Sequence, residues 1–236
     1  RGDDADGLND VRGGVQSGAS AAIVARSDEA LRAAGSLVVV DDTLKALEAL
    51  GRAARARTQA KVVAVTGSVG KTGTKEALRL ILSEQGATHA SAASYNNMWG
   101  VPLSLARMPA DTRFGIFEVG MNHPGEITPL SRLVEPFAAL ITTVEAVHMA
   151  FFDSVEQIAD AKGEIFYGLQ KGGVAILNRD YPHSERLLAK PKASGARRII
   201  SFREHADAET RFDCATLTDG SSCAARKLCA QPLTSH

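Results

Sequence analysis

The chain lacks most features that announce a specialised class. Its net charge is zero, with 27 Lys plus Arg set against 27 Asp plus Glu among 236 residues. A balanced surface offers no general attraction for nucleic acid, so an anionic ligand must be held by local groups. Aromatic residues make up only 5% of the sequence. The longest apolar runs, such as Phe137 to Val144, fall far short of the roughly 20 residues that a membrane helix needs. Cysteine is scarce, and Cys214, Cys223 and Cys229 all follow Asp213. Their odd number and spacing fit neither a disulfide framework nor a zinc site. The opening Arg1-Gly2-Asp3-Asp4 has no secretory-leader pattern. These absences lead to the expectation of a cytoplasmic chain with no membrane span and no nucleic-acid partner.

What is present centres on KVVAVTGSVGKTGTKEAL, Lys61 to Leu78. Val62, Val63, Ala64 and Val65 suit a buried strand, Thr66-Gly67-Ser68-Val69-Gly70 turns the chain, and Lys71-Thr72 opens a helix. A strand, a glycine turn and a helix start together make an anion site, because free amide groups and the helix dipole converge there. Lys71 adds a positive charge and Thr72 a hydroxyl able to bind Mg²⁺. The loop is shorter than the standard phosphate loop, with only Ser68 and Val69 between Gly67 and Gly70. A nucleoside triphosphate site is the reading, against an ordinary strand–turn–helix with a solvated lysine.

Apolar strands alternate with helical segments after Lys61. Strands are expected over 61–66, 88–91, 114–119, 137–143, 173–177 and 197–201, and helices over 72–85, 100–107, 125–134, 154–169 and 182–189. Such alternation predicts an α/β fold, a mostly parallel sheet flanked by helices, with ligands at the carboxyl ends of the strands. Upstream, Ser20 to Arg26 and Leu37 to Val40 read as strands of a small α/β domain, and Thr43 as the cap of a helix over 44–57. Downstream, 211–218 and 222–229 read as short strands around Asp219-Gly220.

The candidate chemical residues follow strands. Glu118 is placed to bind Mg²⁺, or else to cap the next turn. His148 after its strand, Lys162 on a helix, and the polar pair Asn96-Asn97 each have an equally ordinary structural reading.

Taken together, VTGSVGKTGTKEAL, YNNMWGVPLSLARMP, FEVGMNHPGEI, the His148 region and ADAKGEIFYGL make the chain, from about Arg1 to Arg211, resemble the Mur ligases. The resemblance implies an ATP-dependent amide ligase of peptidoglycan precursor synthesis. It would join D-Ala-D-Ala to a UDP-N-acetylmuramoyl-tripeptide through an acyl phosphate. It also implies roles: Thr66, Gly67, Ser68, Val69, Gly70, Lys71 and Thr72 for ATP, and Asn96 and Asn97 near the γ-phosphate and the UDP-linked substrate. Thr72 and Glu118 would hold one Mg²⁺, His148 and Lys162 a second, with Lys162 as a carbamylated lysine. Lys71, His148 and Lys162 would form the catalytic group. Residues 1–57 would be the remainder of a UDP-substrate domain and 58–236 an incomplete ATP-binding domain, with a third domain absent. A folylpolyglutamate-synthetase-like ligase and a non-catalytic nucleotide-binding fragment are the alternatives.

Overall fold

The computed structural model describes residues 10–147, 150–203, 210–216 and 222–228, with side chains described through Phe202. The chain divides into two compact units, residues 1–50 and 51–236.

The first unit contains α1 (Val11–Gln16), β1 (Ala22–Val24), α2 (Glu29–Ala34) and β2 (Leu37–Val39). β1 and β2 pair in parallel, Ala22 opposite Leu37. Asp28 starts α2 by accepting the Leu31 amide at 2.8 Å, an N-cap that satisfies a donor with no helical partner. α3 (Thr43–Ala56) follows, and the division between units falls within it. The expected cap at Thr43 is corrected to Asp42. Its Oδ1 accepts the amides of Leu44 at 2.8 Å and Lys45 at 3.0 Å, and its carbonyl accepts Ala46. A carboxylate one residue earlier meets the first free amides and also complements the helix dipole.

The second unit begins with the end of α3 and continues through β3 (Lys61–Thr66), α4 (Lys71–Ser83), β4 (Thr88–Ala90), α5 (Gly100–Ala106), β5 (Phe114–Glu118), α6 (Ile127–Val134) and β6 (Ala138–Ile141). Then come α7 (Val155–Gly163), β7 (Val174–Asn178), α8 (Ser184–Ala193), β8 (Arg198–Arg203), β9 (Thr210–Thr216) and β10 (Ser222–Leu228). The sheet order is β10-β9-β8-β7-β6-β3-β5-β4. Every pairing is parallel except β9 with β10.

β3 lies inside this sheet because its residues tolerate burial on both faces: Val62, Ala64 and Val65 are fully buried. From β3 the chain builds β4 and β5 on one side, then crosses to lay β6, β7 and β8 on the other. Their connections therefore diverge at the carboxyl end of β3, which opens a crevice there. The apolar faces of α5, α6 and α7 close over the sheet, burying Val101, Leu105, Ile127, Val134 and Ile158 with Phe117 and Phe166.

Two expected boundaries shift. The helix expected over 154–169 is α7 followed by a tighter 3-10 segment, Glu164–Gly168. The tightening accompanies the seating of Gly168, where an added Cβ would overlap the Ser131 carbonyl. The strand expected over 137–143 ends at Ile141; the Thr142 amide still donates to the Thr66 carbonyl at 2.9 Å, while the side chains of Thr142 and Thr143 bond the glycine loop.

Candidate active site

Four connections meet at the crevice: the loop after β3, the 91–99 segment after β4, the 119–126 segment after β5 and the 142–147 segment after β6. Gly67, Lys71, Asn96, Asn97, Glu126 and Lys162 are among the residues around a pocket of about 180 Å³.

The glycine loop is shaped by its neighbour. Gly67 has φ +150°, and a Cβ there would lie 1.9 Å from Thr142 Oγ1. Thr142 Oγ1 donates to the Val69 carbonyl at 2.6 Å, the Ser68 amide donates to the Thr143 carbonyl at 3.0 Å, and the Val69 amide donates to Thr143 Oγ1 at 2.9 Å. The amides of Ser68 and Val69 are thus engaged by the 142–145 segment. The first turn of α4 offers an anion further amides, which have no intrahelical acceptor. Gly70, at φ +87°, makes the left-handed turn into that helix.

Lys71 folds back so that Nζ donates to the Gly67 carbonyl at 2.7 Å. Burial lowers its pKa and the Glu118 charge partly restores it. Thr72 Oγ1 donates to Glu118 Oε2 at 2.9 Å, and Asn96 Nδ2 donates to Glu118 Oε1 at 2.8 Å. Glu118 is 1% exposed. A hydroxyl and a carboxylate this close are hard oxygen donors of the kind Mg²⁺ takes, so the pair fits that ion. Among the described residues, no three His, Cys, Asp or Glu side chains converge as a metal cluster. Any cation here would complete its shell with water or phosphate oxygens.

Asn97 works differently from Asn96. Its Oδ1 accepts the amides of Trp99 at 3.1 Å and Gly100 at 2.9 Å, capping α5. Lys162, in the last turn of α7, is 3% exposed. Burial and then the Lys71 charge lower its amine to about 7. No hydrogen-bond or carboxylate partner of that amine is found among the described residues. Thr66, the last residue of β3, is buried, and its Oγ1 has no partner in the described structure. His148 lies outside the described residues, so the structure says nothing of its position.

Sequence reasoning missed several participants. Glu126 lines the pocket and accepts the amides of Asn122 at 2.7 Å and His123 at 3.1 Å. Glu164 ties the same segment to the 3-10 turn, accepting Gly125 N at 2.9 Å and Thr128 N at 3.0 Å. The paired glutamates of GEI and KGEI were visible as charges, but nothing local indicates that both serve one loop. Lys75 was also missed, and it is fully buried beneath the 91–93 segment.

The chain is 36% identical over 207 residues to the UDP-N-acetylmuramoyl-tripeptide–D-alanyl-D-alanine ligase of Rickettsia prowazekii, covering 88% of this chain and 46% of that relative. It spans 37–46% of the length of this relative and of the Bacillus subtilis and Escherichia coli ligases of the same name. A crystal structure of MurF from Acinetobacter baumannii superposes with TM-score 0.81 at 31% identity, over 97% of this chain and 51% of that one. MurF ligase from Thermotoga maritima in complex with ADP superposes with TM-score 0.79 at 25% identity, over 96% and 51%. Folylpolyglutamate synthetase from L. casei shares the fold alone, with TM-score 0.60 at 13% identity over 80% and 55%. Residues 65–230 match the Mur ligase middle domain, and the chain belongs to the Mur ligase family.

Proposed function

We propose that this chain carries the nucleotide-binding core of an ATP-dependent ligase that joins D-Ala-D-Ala to a UDP-N-acetylmuramoyl-tripeptide. The observation that carries the reading is the Thr72–Glu118–Asn96 chain of hydrogen bonds, whose Asn96 lines one pocket together with Lys71 and the buried Lys162. The names of the relatives support the substrate assignment, and the Asn-Asn-x-x-Gly-Val-Pro element separates it from the folylpolyglutamate alternative. Residues 1–57 would belong to the UDP-substrate domain and 58–236 to the ATP-binding domain. Substrates of this kind imply a cytoplasmic reaction.

The chemistry follows from charge. A peptide carboxylate is a poor acylating agent until its oxygen takes the γ-phosphoryl group of ATP, giving an acyl phosphate and ADP. The amine of D-Ala-D-Ala then attacks the acyl carbon, and phosphate leaves through a tetrahedral intermediate. Bringing carboxylate to phosphate sets two anions together, worth roughly 4 kcal/mol at about 4 Å and an effective dielectric near 20. Lys71 and the first-turn amides of α4 would offset that repulsion at the phosphates. Thr72 and Glu118 would hold Mg²⁺, which when bound neutralises phosphate charge and polarises the transferred group. Asn96 orients Glu118 and would reach the γ-phosphate, while Asn97 holds the start of α5 and would contact the UDP-linked substrate.

Lys162 would be carbamylated. Its amine is buried and lowered to about 7, so a substantial neutral fraction exists near neutral pH to attack CO₂. The product replaces a cation that Lys71 repels with an anion that Lys71 attracts. His148 would join that carbamate at a second Mg²⁺.

The deciding experiment is calorimetric titration with ADP and Mg²⁺, followed by product analysis with ATP and both acceptor substrates. Binding that Lys71→Ala weakens, with ADP released only when UDP-tripeptide and D-Ala-D-Ala are both present, supports the reading. Binding indifferent to Lys71→Ala refutes the nucleotide site, and binding without turnover supports a nucleotide-binding module instead.

A further inference from the structure

The segment between β4 and α5 carries Asn96 and Asn97, yet it has no regular secondary structure of its own over residues 91–97. One side is held by Glu118, whose Oε1 accepts Asn96 Nδ2 at 2.8 Å and whose amide donates to Ser91 Oγ at 3.3 Å. The Gly120 amide adds a bond to the Asn96 carbonyl at 2.7 Å. The opposite side is held by Lys75. Its Nζ donates to the Ser91 carbonyl at 2.9 Å and to the Ala93 carbonyl at 2.7 Å, and lies 3.2 Å from Glu76 Oε1.

Lys75 is 1% exposed, and lysine is almost never found so deeply buried unless every donor is paired. Here all three are. A hydrophobic residue of the same length would fill the space but leave two carbonyls unpaired. Ala93 sits at φ +46°, a left-handed conformation that a non-glycine residue adopts only when its surroundings impose it. The bond from Lys75 to the Ala93 carbonyl is such an imposition. Lys75 also stands one helical turn after Lys71, so one helix presents one lysine to the pocket and the next to the asparagine segment.

We propose that Lys75 is a positioning residue that fixes the 91–97 segment to α4, so that Asn96 meets Glu118 and the nucleotide pocket is assembled before ligand arrives. The proposal rests on the nucleotide reading for its functional consequence but not for its structural one. Phosphate contact at the start of α4 and substrate contact at Asn96 and Asn97 are thereby joined through one buried ammonium.

The test uses the full chain and its Lys75→Met variant, which keeps the volume and removes the donors. Because two buried carbonyls lose their donor, the variant is expected to unfold cooperatively at a lower midpoint than the wild type, and exchange is compared under conditions where both are folded. Amide hydrogen exchange at residues 92–97 should accelerate by about tenfold or more while the β3 and β5 amides keep their protection. ADP–Mg²⁺ affinity should weaken by about tenfold, a loss that a merely space-filling role would not produce. Unchanged exchange at 92–97 in the folded variant overturns the proposal. Failure of the wild-type chain to bind ADP would instead refute the nucleotide reading, leaving the exchange result to decide Lys75. Should Lys75→Met not fold, amine labelling of the wild type decides. Lys75 is expected to react only as fast as the 92–96 amides exchange, and labelling as fast as exposed Lys45 while those amides stay protected overturns the coupling.

Discussion

Asn96 and Thr72 occupy the two oxygens of a single buried carboxylate: Asn96 Nδ2 donates to Glu118 Oε1 at 2.8 Å, and Thr72 Oγ1 donates to Glu118 Oε2 at 2.9 Å. The carboxylate joins the helix that follows β3 to the segment that follows β4, at the end of β5.

Glu118→Gln should therefore cost more than a charge. The amide offers one acceptor oxygen where the carboxylate has two, so one of the two present bonds must be reversed or lost, at a cost of about 1–3 kcal/mol. A lowered thermal midpoint is expected, together with ADP binding that no longer responds to Mg²⁺. A variant that keeps its Mg²⁺ response would remove Glu118 from the cation site.

Gly67→Ala should displace the glycine loop, because the added Cβ would lie 1.9 Å from Thr142 Oγ1 at a backbone φ of +150°. Destabilisation of about 1–3 kcal/mol and loss of nucleotide binding are expected. Adding Thr142→Ala removes the colliding oxygen and should recover part of the stability in urea titrations. Equal stability of the single and double variants would contradict the steric account.

Lys162 makes stability depend on pH. Its folded-state pKa of about 7 lies below the ordinary 10.5, so between those values the unfolded chain holds a proton that the folded chain has released. Stability must then rise with pH across that window, and the cost of the buried charge is fully present below it. Lys162→Met should be more stable than wild type near neutral pH, with the advantage shrinking by about 2 kcal/mol between about pH 7 and about pH 9. Urea midpoints in CO₂-free buffer test this, and a constant difference would contradict the lowered pKa. In bicarbonate, intact mass should reveal a CO₂ adduct that the variant lacks.

Glu164→Ala should loosen the pocket wall from a distance. Glu164 accepts Thr128 N at 3.0 Å and Thr128 Oγ1 at 2.9 Å at the start of α6, as well as the Gly125 amide. Loss of this cap is expected to cost about 1 kcal/mol. Faster hydrogen exchange over 122–128 with little change in β7 would confirm it, and uniform acceleration across the sheet would point to global destabilisation instead.

Much of the fold was legible because short-range rules govern it. The apolar run Val62–Val65, the glycine turn and Lys71-Thr72 define a strand, a turn and a helix start within one local stretch. The alternation that follows implied a parallel sheet. Boundaries were less legible: α3 is capped by Asp42, a local carboxylate one residue before Thr43, and beyond Ile141 the side chains of Thr142 and Thr143 serve the distant glycine loop. The site was legible as residue types at strand ends, Glu118 and the Asn96-Asn97 pair among them. The division of labour between those asparagines was not, since it depends on which amides each side chain meets.

Sequence alone determined the family motifs, the α/β alternation and the identity of the groups able to bind an anion, because each is written in neighbouring residues. Tertiary structure alone decided that Lys75 is buried, that Glu126 and Glu164 organise one segment, and that the Lys162 amine is lowered to about 7. The Lys162 shift comes from desolvation, and Lys75 and Glu164 meet partners well separated in the chain; Glu126 bonds the nearby Asn122 and His123 amides, and only the fold turns it toward the pocket.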